Sequence, residues 1–144
     1  ELGVPYCMMH LNGSFSSMHQ NYESKNLLKE MLQYFSLKIE QLRIRGIKDI
    51  VIDPGFGFSK TLEQNFHILK NLSLLQLLDV PILVGISRKS MINKLLHTTP
   101  EEALNGSTVL NTLAIQNGAT ILRVHDVKQA KQAIQLFSYY QQQA

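Results

Sequence analysis

Short apolar runs recur along the chain, and each one is followed directly by polar residues. Four of these runs are almost continuously apolar and rich in valine, isoleucine or leucine, as strands buried on both faces are. We therefore predict four strands, at Val4–Met9, Asp49–Ile52, Val80–Ile86 and Ala119–Val124.

Between the predicted strands, apolar residues recur every three or four positions, which is the pattern of a helix with one buried face. The first stripe ends near Gly46 and consists of Leu27, Leu28, Met31, Leu32, Phe35, Ile39 and Leu42. A second stripe consists of Phe66, Leu69, Leu72 and Leu75. We interpret both stripes as core positions.

Three places in the sequence carry residues that are typical of helix starts. Thr61, with Gln64 three residues later, is expected to form a reciprocal capping box. Thr99 is followed by a proline and then by Glu102 at the same spacing, which predicts a second such start. Asp126 is predicted to cap the last helix with its carboxylate.

The predicted strands and helices alternate, and this order is typical of an α/β fold with a parallel sheet. Strand ends near residues 10, 53, 86 and 124 define units of 43, 33 and 38 residues, near the ~31 residues per unit of an eight-unit barrel. We expect about four parallel strand-helix units in a single, incomplete domain, residues 1–144. Because the chain begins at Glu1 rather than methionine, we also expect it to be part of a longer protein.

The composition narrows the class of protein. Hydrophobic residues make up 44% of the chain and charged residues 17%, which is typical of a globular domain. The net charge of +3 is too small and dispersed to predict nucleic-acid binding, although it suits a small anionic substrate. The sequence contains neither a membrane span nor a signal peptide, so we expect a cytoplasmic protein. The single cysteine, Cys7, lies in an apolar run and is expected to pack in the core.

The polar groups that follow the four strands lie at residues 9–13, 53–60, 85–90 and 123–126. In a parallel barrel the carboxyl ends of all strands open onto one face, so these groups are expected to converge on one site. This convergence is the main reason to predict an enzyme.

Asp53 stands out in the second group, because Pro54 forces it into an extended conformation and the two following glycines allow a sharp turn. A carboxylate fixed there suits two parallel hydrogen bonds from a flat, guanidine-like ring edge. The alternative is a turn aspartate that accepts hydrogen bonds from local backbone amides. Phe58, in the same group, would either stack on a ring or pack in the core.

The other two groups carry cations. Ser87-Arg88-Lys89-Ser90 lies where a strand passes into a helix and suits an anion or an aromatic acid, although a solvated helix start is the alternative. Arg123 and His125 alternate along a strand and so point to the same side, which suits a phosphate or pyrophosphate. For His125 the alternative is a core histidine that is hydrogen-bonded internally.

Several common motifs are missing. The pair Gly55-x-Gly57 is followed by Lys60 where a dinucleotide fingerprint needs glycine, and there is no P-loop. No spacing of histidine, cysteine and acidic residues indicates a metal site. Nothing in the sequence places serine, histidine and aspartate together as a catalytic triad.

On these motifs the chain resembles the dihydropteroate synthase family over essentially its whole length. The matching segments, in family order, are Met9-His10 with Gly13, Asp53–Phe58 with Lys60, Gly85 with Ser87–Ser90, and Arg123–Val127. The resemblance implies a (β/α)8 TIM barrel, of which this chain would be the C-terminal half. It also implies a transferase of folate biosynthesis, in which p-aminobenzoate displaces pyrophosphate from 6-hydroxymethyl-7,8-dihydropterin pyrophosphate to give 7,8-dihydropteroate.

The resemblance further implies that Asp53 and Lys89 hold the pterin in a pocket lined by Met9. Arg123 and His125 would bind the pyrophosphate, and with Lys89 they are the residues expected to act in catalysis.

The remaining implied contacts are on the p-aminobenzoate side, where sulfonamides compete. Phe58, Ser90 and the Ser87-Arg88 segment would shape that side, and Gly85 belongs to the substrate-binding set. The family also implies Mg²⁺, whose protein ligand would lie in the other half of the barrel, and a homodimer is expected.

Two positions depart from the family pattern. Ser59 stands where glycine is usual, and Ala103 stands where arginine is common. We expect little or no activity from half a barrel alone. The alternatives that remain are a pterin-dependent methyltransferase barrel and a non-catalytic pterin-binding fragment.

Overall fold

The computed structural model describes residues 4–11 and 26–143, and these residues form four parallel strands that alternate with helices. The strands are β1 (Tyr6–Met9), β2 (Ile50–Asp53), β3 (Leu83–Val84) and β4 (Ile121–Leu122). Strand β1 pairs with β2 and β3 pairs with β4, all in parallel. The predicted strand positions and the α/β class are thus confirmed, although the two later strands are shorter than predicted.

An isolated parallel bridge between Ile52 and Ile82 joins β2 to the segment that leads into β3. Ile82 also takes part in the pairing with β4, because its carbonyl oxygen accepts from the amides of Thr120 and Ile121 at 2.9 and 3.1 Å. Its own amide donates to Oγ1 of Thr120 at 2.8 Å, so a side chain replaces a ladder bond there. This substitution explains why regular pairing begins only at Leu83.

The first two helices follow the predicted stripes. Helix α1 (Leu27–Ile44) buries its stripe in the core, with Met31 and Phe35 fully buried. Helix α2 (Leu62–Lys70) begins with the predicted capping box, in which both the Thr61 and the Gln64 side chains accept a backbone hydrogen bond. The second stripe is not one helix, however, because α2 ends at Lys70 and a 3₁₀ helix (Leu72–Leu78) follows.

The last three helices are α3 (Ser90–Leu96), α4 (Leu104–Gln116) and α5 (Val127–Gln141). The amide of Thr99 donates to the Glu102 carboxylate at 2.9 Å, so half of the predicted capping box forms. The helix itself begins later, at Leu104, because the backbone bonds of residues 99–103 join residues three positions apart, as in turns. Asp126 does precede α5, but its carboxylate makes no capping bond, so that part of the prediction is wrong.

The core is one apolar cluster between the strands and helices α1 to α4. Strand β1 contributes Met8 to this cluster, whereas its neighbour Cys7 is exposed. Successive side chains of a strand point to opposite faces, so Cys7 lies on the face opposite Met8. The prediction that Cys7 packs in the core is therefore wrong. Among the described helices, none is long and apolar enough to cross a membrane.

Candidate active site at the carboxyl ends of the strands

Asp53 is the last residue of β2 and is only 1% exposed. Its Oδ1 accepts from the Gly55 amide at 2.8 Å, and its Oδ2 accepts from Arg123 Nη2 at 2.9 Å. The alternative in which Asp53 accepts hydrogen bonds from local backbone amides therefore applies to one of its two carboxylate oxygens. The second oxygen is paired with the arginine that follows β4.

The loop after β2 can turn sharply because two of its residues are glycine. Gly55 has φ +70°, and a Cβ on it would lie 2.2 Å from the carbonyl oxygen of His10. Gly57 has φ +80°, and its amide donates to Oδ1 of Asn65 at 2.8 Å. Asn65 is buried on α2 and donates back to the carbonyl oxygen of Thr61 at 2.7 Å, which fastens the loop to that helix.

Ser59, which departs from the glycine that the resemblance implies, has a backbone conformation that favours glycine. It is buried and has φ +48°, a left-handed conformation that costs an L-residue energy and that glycine adopts freely. The departure from the family pattern therefore leaves the loop strained at this residue.

Two buried residues of this region, Lys60 and His10, have lowered pKa values. Lys60 donates to three carbonyl oxygens, those of His10, Gly55 and Phe58, and burial lowers the pKa of its ammonium to about 8. His10 packs edge-on against the Tyr34 ring, with 5.3 Å between ring centroids. Burial, with repulsion from Lys60, lowers the pKa of His10 to about 4, so its ring is neutral at pH 7.

Lys89 precedes α3 and reaches across to the loop after β2. Its Nζ donates to the carbonyl oxygen of Phe56 and lies 4.5 Å from the centroid of the Phe58 ring. Burial lowers the pKa of Lys89 to about 8, although attraction to Asp53 opposes this shift. Phe58 and Lys89, which lie in separate groups of the sequence, are thus neighbours.

Arg123 and His125 both line a pocket of about 200 Å³, together with Gly85, Ser87, Lys89 and Val124. Gly85 leaves room for the guanidinium, because a Cβ there would lie 2.9 Å from Arg123 Nη2. The Ser87 hydroxyl accepts from the His125 amide at 3.2 Å and lies 3.2 Å from its Nδ1. Arg123 and His125 therefore line the same pocket, and the Arg123 side chain remains 54% exposed.

Arg88 and Ser90 lie outside the lining of this pocket. The Arg88 guanidinium forms a bidentate pair with Asp126, at 3.0 and 2.7 Å, and donates to the Pro100 carbonyl at 3.1 Å. The hydrogen bond from Arg88 holds the pKa of Asp126 below its usual value. This pair explains why Asp126 does not cap α5. Ser90 is exposed as the first residue of α3.

Met9 lies opposite Asp53 in the β1–β2 register and is half-buried. The described residues thus bring together Met9, Asp53, Phe58, Lys89 and Arg123 at the carboxyl ends of the strands. They contain no group of three or more histidine, cysteine or acidic side chains arranged to hold a metal ion.

Sequence reasoning assigned no role to two of the residues that build this site. Asn65 carries a usable signal, since it is a polar residue at helical spacing from the buried Ile68 and Leu69. Lys60 belongs to one of the matching motifs, but its partners are backbone carbonyl oxygens, which every residue has, so the sequence cannot indicate them.

Comparisons with known proteins identify relatives of this chain. Residues 1–125 match a family described as pterin binding enzyme. Dihydropteroate synthase of Escherichia coli K12 is 38% identical over 138 residues, which is 94% of this chain and 49% of that protein. The chain therefore spans about half the length of the curated relatives it matches.

Solved structures agree. A dihydropteroate synthase of Yersinia pestis in a sulfonamide drug complex is 36% identical with TM-score 0.92, over 96% of this chain and 52% of that one. The Xanthomonas albilineans enzyme in complex with 7,8-dihydropteroate is 33% identical with TM-score 0.89, over 98% and 53%. Because the family match extends over most of its length, this chain belongs to the family of pterin-binding enzymes.

Proposed function

We propose that this chain is the C-terminal half of a (β/α)8 barrel and supplies half of the active site of a dihydropteroate synthase. The observation that carries the proposal is the buried Asp53 carboxylate, paired with Arg123 beside a pocket lined by cations. Relatives that are similar over this whole region carry that enzyme name, and their length is about twice that of this chain. The four parallel strands in chain order suit half of such a barrel.

The pterin would bind to Asp53 and Lys89, with Met9 lining its pocket. The ring presents a flat edge of N–H donors, and a carboxylate accepts two such donors in parallel. Oδ2 of Asp53 is taken by Arg123 in the present structure. The pterin edge would replace this bond, and the released guanidinium would turn with His125 towards the pyrophosphate.

The p-aminobenzoate would enter on the side of Phe58, with Ser87, Arg88 and Ser90 shaping the approach and Gly85 leaving room for the substrates. In the reaction, the arylamine nitrogen forms a bond to the exocyclic carbon of the pterin as the bond from that carbon to the pyrophosphate oxygen breaks. The amine then loses a proton. The pterin ring shares the positive charge that develops on the carbon.

Catalysis in this proposal rests on position and charge. No side-chain nucleophile takes part, and Lys89, Arg123 and His125 would stabilise the departing anion through electrostatic contacts that strengthen as its charge develops. The described residues offer no cluster for a metal ion, so no step is assigned to Mg²⁺. We further propose that the complete enzyme is a cytoplasmic homodimer.

Calorimetric titration with 6-hydroxymethyl-7,8-dihydropterin pyrophosphate tests the proposed site on this chain. Asp53→Ala and Lys89→Ala are each expected to weaken binding at least about tenfold, because each removes a charged hydrogen-bonding partner. Lys70→Ala, at an exposed lysine of α2, is the control and should bind as the parent chain does. Equal affinity for all four proteins would contradict the site.

Steady-state formation of 7,8-dihydropteroate tests the second part of the proposal. We expect little or no turnover from the 144-residue chain, because half of the proposed site is missing. A rate comparable to that of a complete enzyme would contradict the half-barrel proposal. Absence of any pterin binding would instead favour a non-catalytic fragment.

A further inference from the structure

Lys60 is a buried cation of the strand-end region to which the proposed substrate contacts assign no role. The residue is 6% exposed, and its Nζ lies 3.3, 3.0 and 3.1 Å from the carbonyl oxygens of His10, Gly55 and Phe58. The ion pairs within the described residues involve other cations, so no carboxylate there neutralises Lys60 at contact distance.

These three bonds join two parts of the site. The carbonyl of His10 belongs to the end of β1, next to Met9, whereas those of Gly55 and Phe58 belong to the loop after β2. Because an ammonium group donates three hydrogen bonds in a compact arrangement, Lys60 fixes the separation of these two segments.

The same contacts lead to the Asp53 carboxylate. Gly55 accepts from Lys60 through its carbonyl oxygen, and its amide donates to Oδ1 of Asp53 at 2.8 Å. Lys60 therefore holds the Gly55 turn through the Gly55 carbonyl oxygen, and the same turn donates its amide to Asp53.

A purely structural role would not require the charge at this position. Burial of an ammonium without a carboxylate in contact with it is costly, and burial lowers the pKa of Lys60 to about 8, although attraction to Asp53 opposes this shift. Apolar side chains of similar volume are often as stable in such places as buried charges. What an apolar side chain lacks is the set of donors that orients three carbonyls at once.

We propose that Lys60 is a positioning residue of the pterin site, which holds the Asp53 carboxylate and the loop after β2 in the geometry that binds the ring. The role in binding rests on the proposed function. The effect on the Asp53–Gly55 hydrogen bond does not depend on any ligand.

The first test compares Lys60→Met with Lys70→Met, which removes an exposed lysine of the same region. Calorimetric Kd values for 6-hydroxymethyl-7,8-dihydropterin pyrophosphate are measured where far-UV circular dichroism shows each variant folded. Lys60→Met is expected to bind roughly ten- to a hundredfold more weakly, because small misplacements of binding groups are costly. Lys70→Met should match the parent chain. An unchanged Kd for folded Lys60→Met would overturn the proposal, whatever happens to its urea midpoint.

A conservative rescue separates charge from shape. Lys60→Cys, introduced in a Cys7→Ser chain and alkylated with bromoethylamine while unfolded, restores an ammonium close to the native position. Affinity should return towards that of the Cys7→Ser parent, and failure to return would count against the proposal. If Lys60→Met does not fold, Lys60→Gln takes its place, since its amide still donates but is too short to reach all three carbonyls.

A ligand-free measurement keeps this inference distinct from the proposed function. The amide resonance of Gly55, recorded by ¹H–¹⁵N NMR, reports its hydrogen bond to Asp53. We expect Lys60→Met to shift this resonance and to speed its hydrogen exchange, whereas Lys70→Met leaves both unchanged. If the parent chain binds no pterin but the Gly55 resonance responds, the proposed function fails and Lys60 still positions Asp53. An unaltered Gly55 amide would overturn the positioning role.

Discussion

Replacement of Gly55 by alanine gives a quantitative test of the loop that carries Asp53, because the chain offers a matched control. Gly46, at the end of α1, has φ +82°, similar to the +70° of Gly55, but a Cβ there would meet nothing within 4 Å. Gly46→Ala therefore measures the left-handed backbone alone. That conformation destabilises the folded state by about 1–2 kcal/mol for an L-residue. The alanine also makes the unfolded chain less flexible, which offsets about 0.4–1 kcal/mol of this loss. The expected loss of stability is about 1 kcal/mol.

Gly55→Ala adds a collision to this cost. Its Cβ would lie 2.2 Å from the His10 carbonyl oxygen, 3.2 Å from Lys60 Nζ and 3.3 Å from Met9 Cγ. Backbone has to move by about 1 Å to relieve the first contact, since nonbonded atoms settle near 3.5 Å. Such a shift breaks one or more of the buried bonds of this loop, at about 1–3 kcal/mol each. We expect a total loss of about 3–5 kcal/mol.

The measurement is urea unfolding followed by far-UV circular dichroism, because the chain has no tryptophan to serve as a fluorescence probe. Free energies of unfolding for the parent and both variants are obtained by linear extrapolation. The difference between the two variants isolates the collision. If Gly55→Ala and Gly46→Ala lose the same stability within about 0.5 kcal/mol, the close approach of the β1 and β2 ends is contradicted.

Three further predictions concern single residues. The pKa of His10 is about 4 in the folded chain, against an ordinary value of 6.5, so the unfolded chain binds the proton first and the stability falls as the pH drops from 6.5 to 4. Urea midpoints of a His10→Asn variant should therefore fall less steeply with pH over this range than those of the parent chain. Equal slopes would contradict the burial of a neutral ring. Ser59→Gly should raise the free energy of unfolding by about 0.5–1 kcal/mol, because it relieves a left-handed residue, and a loss would show that the serine hydroxyl matters more. Thr61→Ala should lower it by about 1 kcal/mol through loss of the α2 capping box, whereas Thr61→Ser should keep most of it.

The strands and helices were largely predictable because their signals are local. Apolar runs indicated all four strands of the described chain, and the spacing of Met31, Phe35 and Ile39 indicated the buried face of α1. The Thr61 capping box depends on two residues three positions apart and was found from their identity alone. Such signals can be found in a sequence because the residues that interact are also close together along the chain.

Competition between partners explains what the sequence did not predict. Asp126 has the right identity and place for a helix cap, yet it binds Arg88, 38 residues away, through two charge-assisted bonds. Such a bidentate pair is stronger than a single bond to a backbone amide. Asp53 and Arg123 are 70 residues apart, and the resemblance assigns them to different parts of one substrate, although they contact each other directly. Only the fold brings such partners together.

The charges around Asp53 bear on the proposed binding of a substrate that has a neutral ring at one end and an anion at the other. Lys60, Lys89 and Arg123 surround a single buried carboxylate, so cations exceed anions in this part of the described chain. Lys60 and Lys89 are turned towards backbone carbonyls, and burial lowers both pKa values to about 8, so each ammonium is still mostly charged at pH 7. Arg123, by contrast, is half exposed and holds Asp53 through one bond, which makes it the cation that can be released at least cost. If a neutral ring edge replaced Arg123 as the partner of Asp53, the Arg123 guanidinium would lie beside the pocket without a carboxylate partner. An anion attached to that ring would then neutralise the guanidinium charge.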